Sequence, residues 1–229
     1  MSSGGIESLG RAIGPMLALL LGAALVLLGG MMLLSAFQAS KASAYVQRWG
    51  ASGEQPGPAA FEQAEHHAAR ALWLFPGPDG RLLEQAGQIQ AWRDPFSAPT
   101  HAPSEVTQAR RRAIDFHEQA VVARPLWPYA RLKLAAALIR AGRSPAHWSA
   151  QLVRAFELGG WRPAVNRRVL ALGLPRWGRL SGEARRVVLT SARRLISLGG
   201  GNARYVERLA SRTGMNGALE AIMPGRFGG

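Results

Sequence analysis

Two adjacent histidines, His66 and His67, follow Glu62 and Glu65 in this chain. Such a cluster could bind a metal ion, because imidazole and carboxylate groups are common metal ligands. Adjacent histidines point to different sides of a helix, however, and the HExxH motif, which puts two histidines on one helical face, is absent. We therefore interpret these residues as a solvated helix face and predict no metal site.

Asp115, His117 and Glu118 form a second group that could transfer protons in catalysis. His117 falls at a helix-packing position, which favours a half-buried structural histidine. The chain has no cysteine and no GxSxG nucleophile elbow. The sequence thus predicts a non-enzymatic protein without catalytic, cofactor-binding or metal-ligating residues. His66, Asp115 and His117 are the candidates that an enzyme alternative retains.

Tryptophan and arginine recur together in the C-terminal half, and this pairing could bind an acidic glycan. Aromatic rings stack on sugar faces, and guanidinium groups pair with acidic substituents. The alternative is that the tryptophans fill gaps between packed helices. The candidate contacts for a glycan or a protein partner are Trp127, Trp161, Arg162, Arg167, Arg168, Arg176 and Trp177.

The chain carries a formal net charge of +14, and most of the excess lies in its C-terminal third. Residues 161–212 hold twelve arginines against Glu183 and Glu207. A field of this sign attracts polyanions such as anionic lipid head groups, acidic polysaccharide or nucleic acid. Because an apolar run over residues 12–37 also predicts a membrane segment, we expect no nucleic-acid partner.

A run without ionisable side chains extends over residues 12–37. About 20 apolar residues in a helix suffice to cross the hydrocarbon core of a bilayer, so we predict a transmembrane helix here. A cleavable signal peptide is the alternative, because Ala42, Ser43 and Ala44 have the small-x-small pattern of a cleavage site. The length of the run favours a retained anchor, since the apolar region of a signal peptide has about 7–15 residues.

Small residues recur along this segment at Gly14, Ala18, Gly22 and Gly29. Such a face lets a second helix approach closely, so it is a candidate contact with another membrane protein. The alternative explanation is that glycine is simply frequent in transmembrane helices.

The flanking charges bear on the orientation of the segment. Arg11 and Glu7 precede it and Lys41 and Arg48 follow it, which leans toward a cytoplasmic C-terminal domain. Long domains translocate largely regardless of such charges. We predict a single-pass protein of a bacterial inner membrane with its C-terminal domain in the periplasm.

Apolar residues recur at three- and four-residue spacing beyond the anchor, and no segment alternates in the manner of a strand. We predict an all-α protein, with an N-terminal transmembrane helix followed by a tetratricopeptide-like, right-handed array of helical hairpins. The predicted parts are a short tail (1–11), the transmembrane helix (12–37), a helix extension and linker (38–57), a helical domain that is basic in its C-terminal part (58–213) and a C-terminal tail (214–229).

An alanine and proline pattern repeats in two of the predicted helices. The repeated residues are Ala64, Ala71 and Pro76, then Ala113, Ala120 and Pro125 at the same intervals. Small residues at these positions let neighbouring helices pack closely, and the proline ends the second helix of a hairpin. The two prolines are 49 residues apart rather than the roughly 34 of a tetratricopeptide unit, which assigns the excess to a loop over residues 93–104.

Three segments carry a wider resemblance: ALWLFPGPDGRLLEQAGQIQAWR, RPLWPYARLKLAAALIRAG and FELGGWRPAVNRRVLALGLPRWGRLS. With the anchor before them and a basic helical tail after them, they resemble the VpsP family of polysaccharide biosynthesis proteins over about residues 61–194. The resemblance implies a process, exopolysaccharide assembly or export at a bacterial membrane. It implies no catalytic residue.

The sequence leaves three functions open. The first is a non-enzymatic, membrane-anchored accessory or scaffold protein of exopolysaccharide biosynthesis or export, which contacts other membrane proteins of that system. The second is direct binding of an acidic polysaccharide or lipid-linked glycan by the C-terminal half. The third is a membrane-anchored enzyme of the same pathway.

Overall fold

The first helix, α1, runs from Gly4 to Ser52 and includes the whole apolar run. The computed structural model of the chain describes residues 4–93 and 103–220. Within α1, the segment Gly14–Ser52 is long and apolar enough to span a membrane, and its most apolar 18 residues include none that is buried. The helix ends where Gly53 adopts a φ of +68°, a left-handed conformation that favours glycine. The chain therefore leaves the apolar run as a continuous helix.

The remaining described residues are also mostly helical and contain no strand, so the all-α prediction is confirmed for the described part of the chain. The further α-helices are α2 (Pro58–Leu74), α3 (Gly80–Ala91), α4 (Pro103–Ala123), α5 (Pro128–Arg140), α6 (Pro145–Gly159), α7 (Pro163–Gly173), α8 (Gly182–Ser197), α9 (Gly200–Thr213) and α10 (Asn216–Glu220), with a 3₁₀ helix over Leu174–Arg179. The tetratricopeptide-like arrangement stays a prediction.

Local sequence explains where most of these helices begin. Proline occupies the first turn of α2, α5, α6 and α7, where its missing N–H leaves no helical hydrogen bond unmade. The Asp79 side chain accepts hydrogen bonds from the backbone N–H groups of Arg81 and Leu82 and so caps α3. Ser181 caps α8 in the same way, through the N–H of Ala184.

Consecutive helices pack as hairpins. The most extensive contacts join α1 to α2, α3 to α4, α5 to α6 and α7 to α8. Helices α1, α3, α5 and α7 also touch one another in that order. These four odd-numbered helices therefore form one layer of the stack.

The repeated alanines lie inside the helical contacts. Ala64, Ala71, Ala113 and Ala120 are all buried. Pro76 and Pro125 lie just beyond the ends of α2 and α4. Residues 94–102, most of the loop predicted over 93–104, lie outside the described residues. The segment predicted as a C-terminal tail contributes α10, whose Leu219 side chain is fully buried.

Candidate functional site

A groove runs along the layer of odd-numbered helices, and we call it the inner groove. It comprises two adjoining cavities that share Gln88 and Lys133. The first, of about 470 Å³, lies between α1, α3 and α5, and its polar lining includes Gln47, Arg81 and Gln85. The second, of about 180 Å³, lies between α3, α5 and α7, with His117 of α4 beneath it.

The charge of the inner groove is predominantly positive. Arg140 and Arg168 line the second cavity, and Lys133 lies between the two cavities. Glu84, the one acidic side chain among the described residues of the lining, is buried, and its Oε2 atom lies 2.7 Å from the Nζ atom of Lys133. The Nη1 atom of Arg124 lies 3.5 Å from the other Glu84 oxygen. Glu84 thus holds Lys133 in place, and three arginines, Arg81, Arg140 and Arg168, also line the groove.

His117 forms part of the floor of the second cavity. The imidazole packs on Gly87 so closely that a Cβ atom at that position would lie 2.7 Å from the ring. Burial, reinforced by the positive charges of Lys133 and Arg140, lowers the pKa of His117 from 6.5 to about 3, so the ring is neutral at pH 7. Its Nδ1 atom has no hydrogen-bond partner among the described residues. A buried polar atom without a partner therefore lies beneath a cationic cavity.

The part of α1 that follows the apolar run forms one wall of the groove. The Gln85 side chain donates hydrogen bonds to the carbonyl of Ala39, at 2.7 Å, and to the hydroxyl of Ser43, at 2.8 Å. On the other side of α1, the Nδ1 atom of His67 lies 2.7 Å from the Oε1 atom of Gln38. Partial burial and neighbouring positive charges lower the pKa of His67. The groove therefore begins at the C-terminal end of the apolar run, where Ala36 lines the first cavity.

The structure separates the tryptophan and arginine residues that the sequence singles out. Trp127, Trp161 and Arg162 lie together, with the Arg162 guanidinium 4.5 Å from the Trp161 ring and 5.4 Å from the Trp127 ring. Arg168 lines the inner groove. The other predicted contacts lie elsewhere. Arg167 contacts Asn202 and Tyr205 of α9, and Arg176 and Trp177 belong to the 3₁₀ helix that follows the other end of α7.

The small-residue face of the anchor is unpartnered in the described structure. A Cβ atom added at Gly14, Gly22 or Gly29 would meet nothing within 4 Å, and Ala18 is exposed. The histidine and carboxylate clusters are likewise not assembled into a site. Among the side chains that the structure describes, no group of three or more of these residue types is arranged to hold a metal ion.

Sequence reasoning missed the groove residues Gln85, Gln88, Lys133 and Arg140. A usable signal was present in their spacing. Lys133 and Arg140 are seven residues apart, which places them on one face of α5. Pairs of tryptophan and arginine do not mark these residues, because no tryptophan adjoins them in the sequence.

Comparisons with protein-family models, with curated proteins and with solved structures found no match to this chain.

Proposed function

We propose that this protein is a membrane-anchored adaptor that holds an acidic segment of a partner protein in its inner groove. The observation that carries the proposal is the convergence of Lys133, Arg140 and Arg168 over the unpartnered His117 nitrogen. Carboxylate groups form strong, charge-assisted hydrogen bonds with lysine and arginine. A segment rich in aspartate and glutamate therefore complements this surface.

The shape of the groove favours an extended segment. Packed helices lie about 8–10 Å apart, so a groove across four helices is on the order of 30 Å long. Extended chain advances roughly 3.3 Å per residue, and about eight or nine residues would fill it. Side-chain amides such as that of Gln88 are suited to pair with backbone groups of such a segment.

The anchor supports a partner in the same membrane. We propose that α1 is retained as a single membrane span in a bacterial inner membrane, with the helical domain in the periplasm. Cleavage after Ala44 would divide α1 between Ala42 and Trp49, which are both buried against the domain. In a retained anchor, the face formed by Gly14, Ala18, Gly22 and Gly29 is available to a helix of the partner.

The process proposed for the adaptor is the assembly or export of an exopolysaccharide, in which it acts without catalysis. The support for this step is the resemblance to the VpsP family. Deletion of the gene in its bacterial host should then reduce secreted polymer without removing any soluble enzymatic activity. Normal polymer secretion in the deletion strain would refute the role in exopolysaccharide assembly or export. The adaptor function of the groove would not be affected by that result, because the crosslinking experiment tests it separately.

Site-specific photo-crosslinking tests the groove directly. A photoreactive amino acid at Gln88 in the full chain should crosslink to a membrane protein in cells, whereas the same group at exposed Ala146, at the start of α6, should not. The Arg168→Gln variant should weaken the Gln88 adduct, and raised ionic strength should weaken it further in isolated membranes. Arg186→Gln, at an exposed position of α8, is the matched control. Equal adducts from Gln88 and Ala146, or equal effects of the two arginine variants, would contradict the proposal.

A further inference from the structure

The connections α2–α3, α4–α5, α6–α7 and α8–α9 lie at one end of the stack, which we call the anchor end. Ser35, in the apolar run of α1, donates a hydrogen bond to the carbonyl of Ala71 near the end of α2. The α2–α3 and α4–α5 connections lie next to each other, since Gly80 at the start of α3 packs on the Arg124 side chain just after α4. Gly159 packs on Pro128, which brings the α6–α7 connection next to α4–α5. Arg194 donates a hydrogen bond to the carbonyl of Gly160, which brings the end of α8 next to α6–α7.

Exposed apolar side chains are concentrated at this end. Outside α1, the large hydrophobic residues that are exposed among the described residues are Trp73, Val122, Leu126, Trp161 and Leu198. Each of them lies at the end of an even-numbered helix or in the connection that follows it. Trp73, Leu126 and Trp161 are 76%, 74% and 73% exposed. The opposite end has no large exposed hydrophobic residue among those described, so the asymmetry needs a physical reason.

The anchor end overlaps the apolar run along the axis of α1. Ser35 is buried by the last turn of α2, while Leu33, Leu34 and Phe37 on the same stretch of α1 remain more than half exposed. Trp73 belongs to that last turn. If the apolar run lies in a bilayer, the exposed Trp73 indole is therefore at the depth of the lipid head groups, where tryptophan is enriched in membrane proteins.

Arginine and lysine accompany these apolar residues. The Arg124 guanidinium lies 4.4 Å from the Trp127 ring, and Arg162 stacks on the neighbouring Trp161. Lys41 covers the ring of exposed Phe37 at 4.5 Å. Cationic side chains of this kind place their stems on apolar surface and their charged groups among lipid phosphates.

We propose that the anchor end lies flat against the anionic head groups of the leaflet from which α1 emerges. Trp73, Leu126 and Trp161 insert at the interface, and Arg162 pairs with lipid phosphate. No flexible linker intervenes, because α1 passes without a break from the apolar run into its contacts with α2 and α3. The contact fixes the tilt of the domain and holds the inner groove close to the membrane surface. The inference rests on α1 being the proposed membrane anchor.

The absence of native cysteine makes a labelling experiment clean. Single cysteines replace Trp73, Leu126 or Trp161 in the full chain, carry an environment-sensitive fluorophore, and are reconstituted in nanodiscs that contain head-group-nitroxide lipid. A label at Leu25→Cys reports insertion of the anchor itself, and a label at Ala146→Cys reports the opposite end. Val122→Cys provides a further position at the anchor end.

In nanodiscs containing phosphatidylglycerol, the labels at 73, 122, 126 and 161 should be quenched and the label at 146 should not. In pure phosphatidylcholine, quenching at 126 and 161 should fall. Arg162→Gln should reduce quenching at 126, while Arg143→Gln, at the opposite end, should leave it unchanged.

Two results would overturn the proposal. One is quenching at 126 and 161 no stronger than at 146. The other is quenching that does not depend on phosphatidylglycerol and is abolished by soluble polygalacturonate, which would identify a glycan-binding face. A Leu25 label without quenching in acyl-chain-nitroxide lipid would instead refute the anchor, and with it the membrane part of the proposed function.

Discussion

The two halves of the helical stack have different kinds of core. In the first half, alanines from α1, α2 and α3 surround the ring of Trp49, which stacks on Phe61 with ring centroids 6.4 Å apart and meets Trp92 edge-on at 5.9 Å. In the second half, α5 to α9 enclose a larger and mainly aliphatic core, with members such as Leu152 and Leu195 and one buried tryptophan, Trp148.

The difference shows how far each half depends on α1. Trp49 and Ala42 belong to α1, and Gln85 and Ala71 of the neighbouring helices hydrogen-bond to it. The aliphatic core includes no residue of α1. The anchor helix is therefore also the first helix of the domain, and we expect only the first half to need it for folding.

Removal of α1 tests this dependence most severely. A chain that begins at Gly53 lacks Trp49 and exposes the faces of α2 and α3 that α1 covers. We expect the amides of α2 and α3 to lose slow hydrogen exchange while those of α6 to α8 keep it, because loss of protection follows cooperative units. Mass spectrometry of exchanged peptides measures this, with the full chain in the same detergent as control. Retained protection in α2 would contradict the comparison.

A single substitution in each core tests whether the two halves unfold separately. Trp49→Ala should reduce the stability of the first half by about 3–5 kcal/mol, because it opens a cavity among Phe61, Trp92 and the alanines. Denaturant unfolding followed by hydrogen exchange in each helix measures the effect. The matched variant Leu170→Ala should destabilise the second half instead, by about 2–5 kcal/mol. If both variants loosen both halves equally, the stack unfolds as one unit.

The three- and four-residue spacing of apolar residues, together with prolines and glycines at helix ends, was enough to predict most of the helices. The apolar residues of α2 and the prolines after α2 and α4 are local signals, which hairpin packing preserves. The inner groove was not predictable in this way. Gln85 meets Ser43 across 42 residues, and Lys133 meets Glu84 across 49. Likewise, sequence position alone does not show that Arg168 lines the groove while its neighbour Arg167 contacts Asn202 of α9.

His117 lies where α3, α4 and α5 meet, and its burial there should make the free energy of unfolding depend on pH. Its pKa is about 3 in the folded protein and near 6.5 when unfolded, so between these values the unfolded chain binds more protons. The free energy of unfolding is therefore unaffected by His117 above pH 6.5. It falls as the pH is lowered, by about 2 kcal/mol at pH 5, because the unfolded chain takes up a proton that the buried ring does not. His117→Gln should flatten this pH dependence of unfolding, whereas His66→Gln on the exposed face should not. An unchanged slope in His117→Gln would place the titrating group elsewhere.

Ser35→Ala should have the smallest effect on stability. It tests whether the contact between α1 and α2 extends into the apolar run. The variant removes one buried hydrogen bond to the Ala71 carbonyl, which still accepts from the N–H of Phe75, so the expected loss is about 1 kcal/mol. Because Ser35 lies within the apolar run, the loss should appear as faster exchange in the last turn of α2, with Trp49 and its neighbours undisturbed. Ser40→Ala, at an exposed position of the same helix, is the control. Equal exchange in the two variants would mean that α2 is held to α1 only by the aromatic core beyond the run.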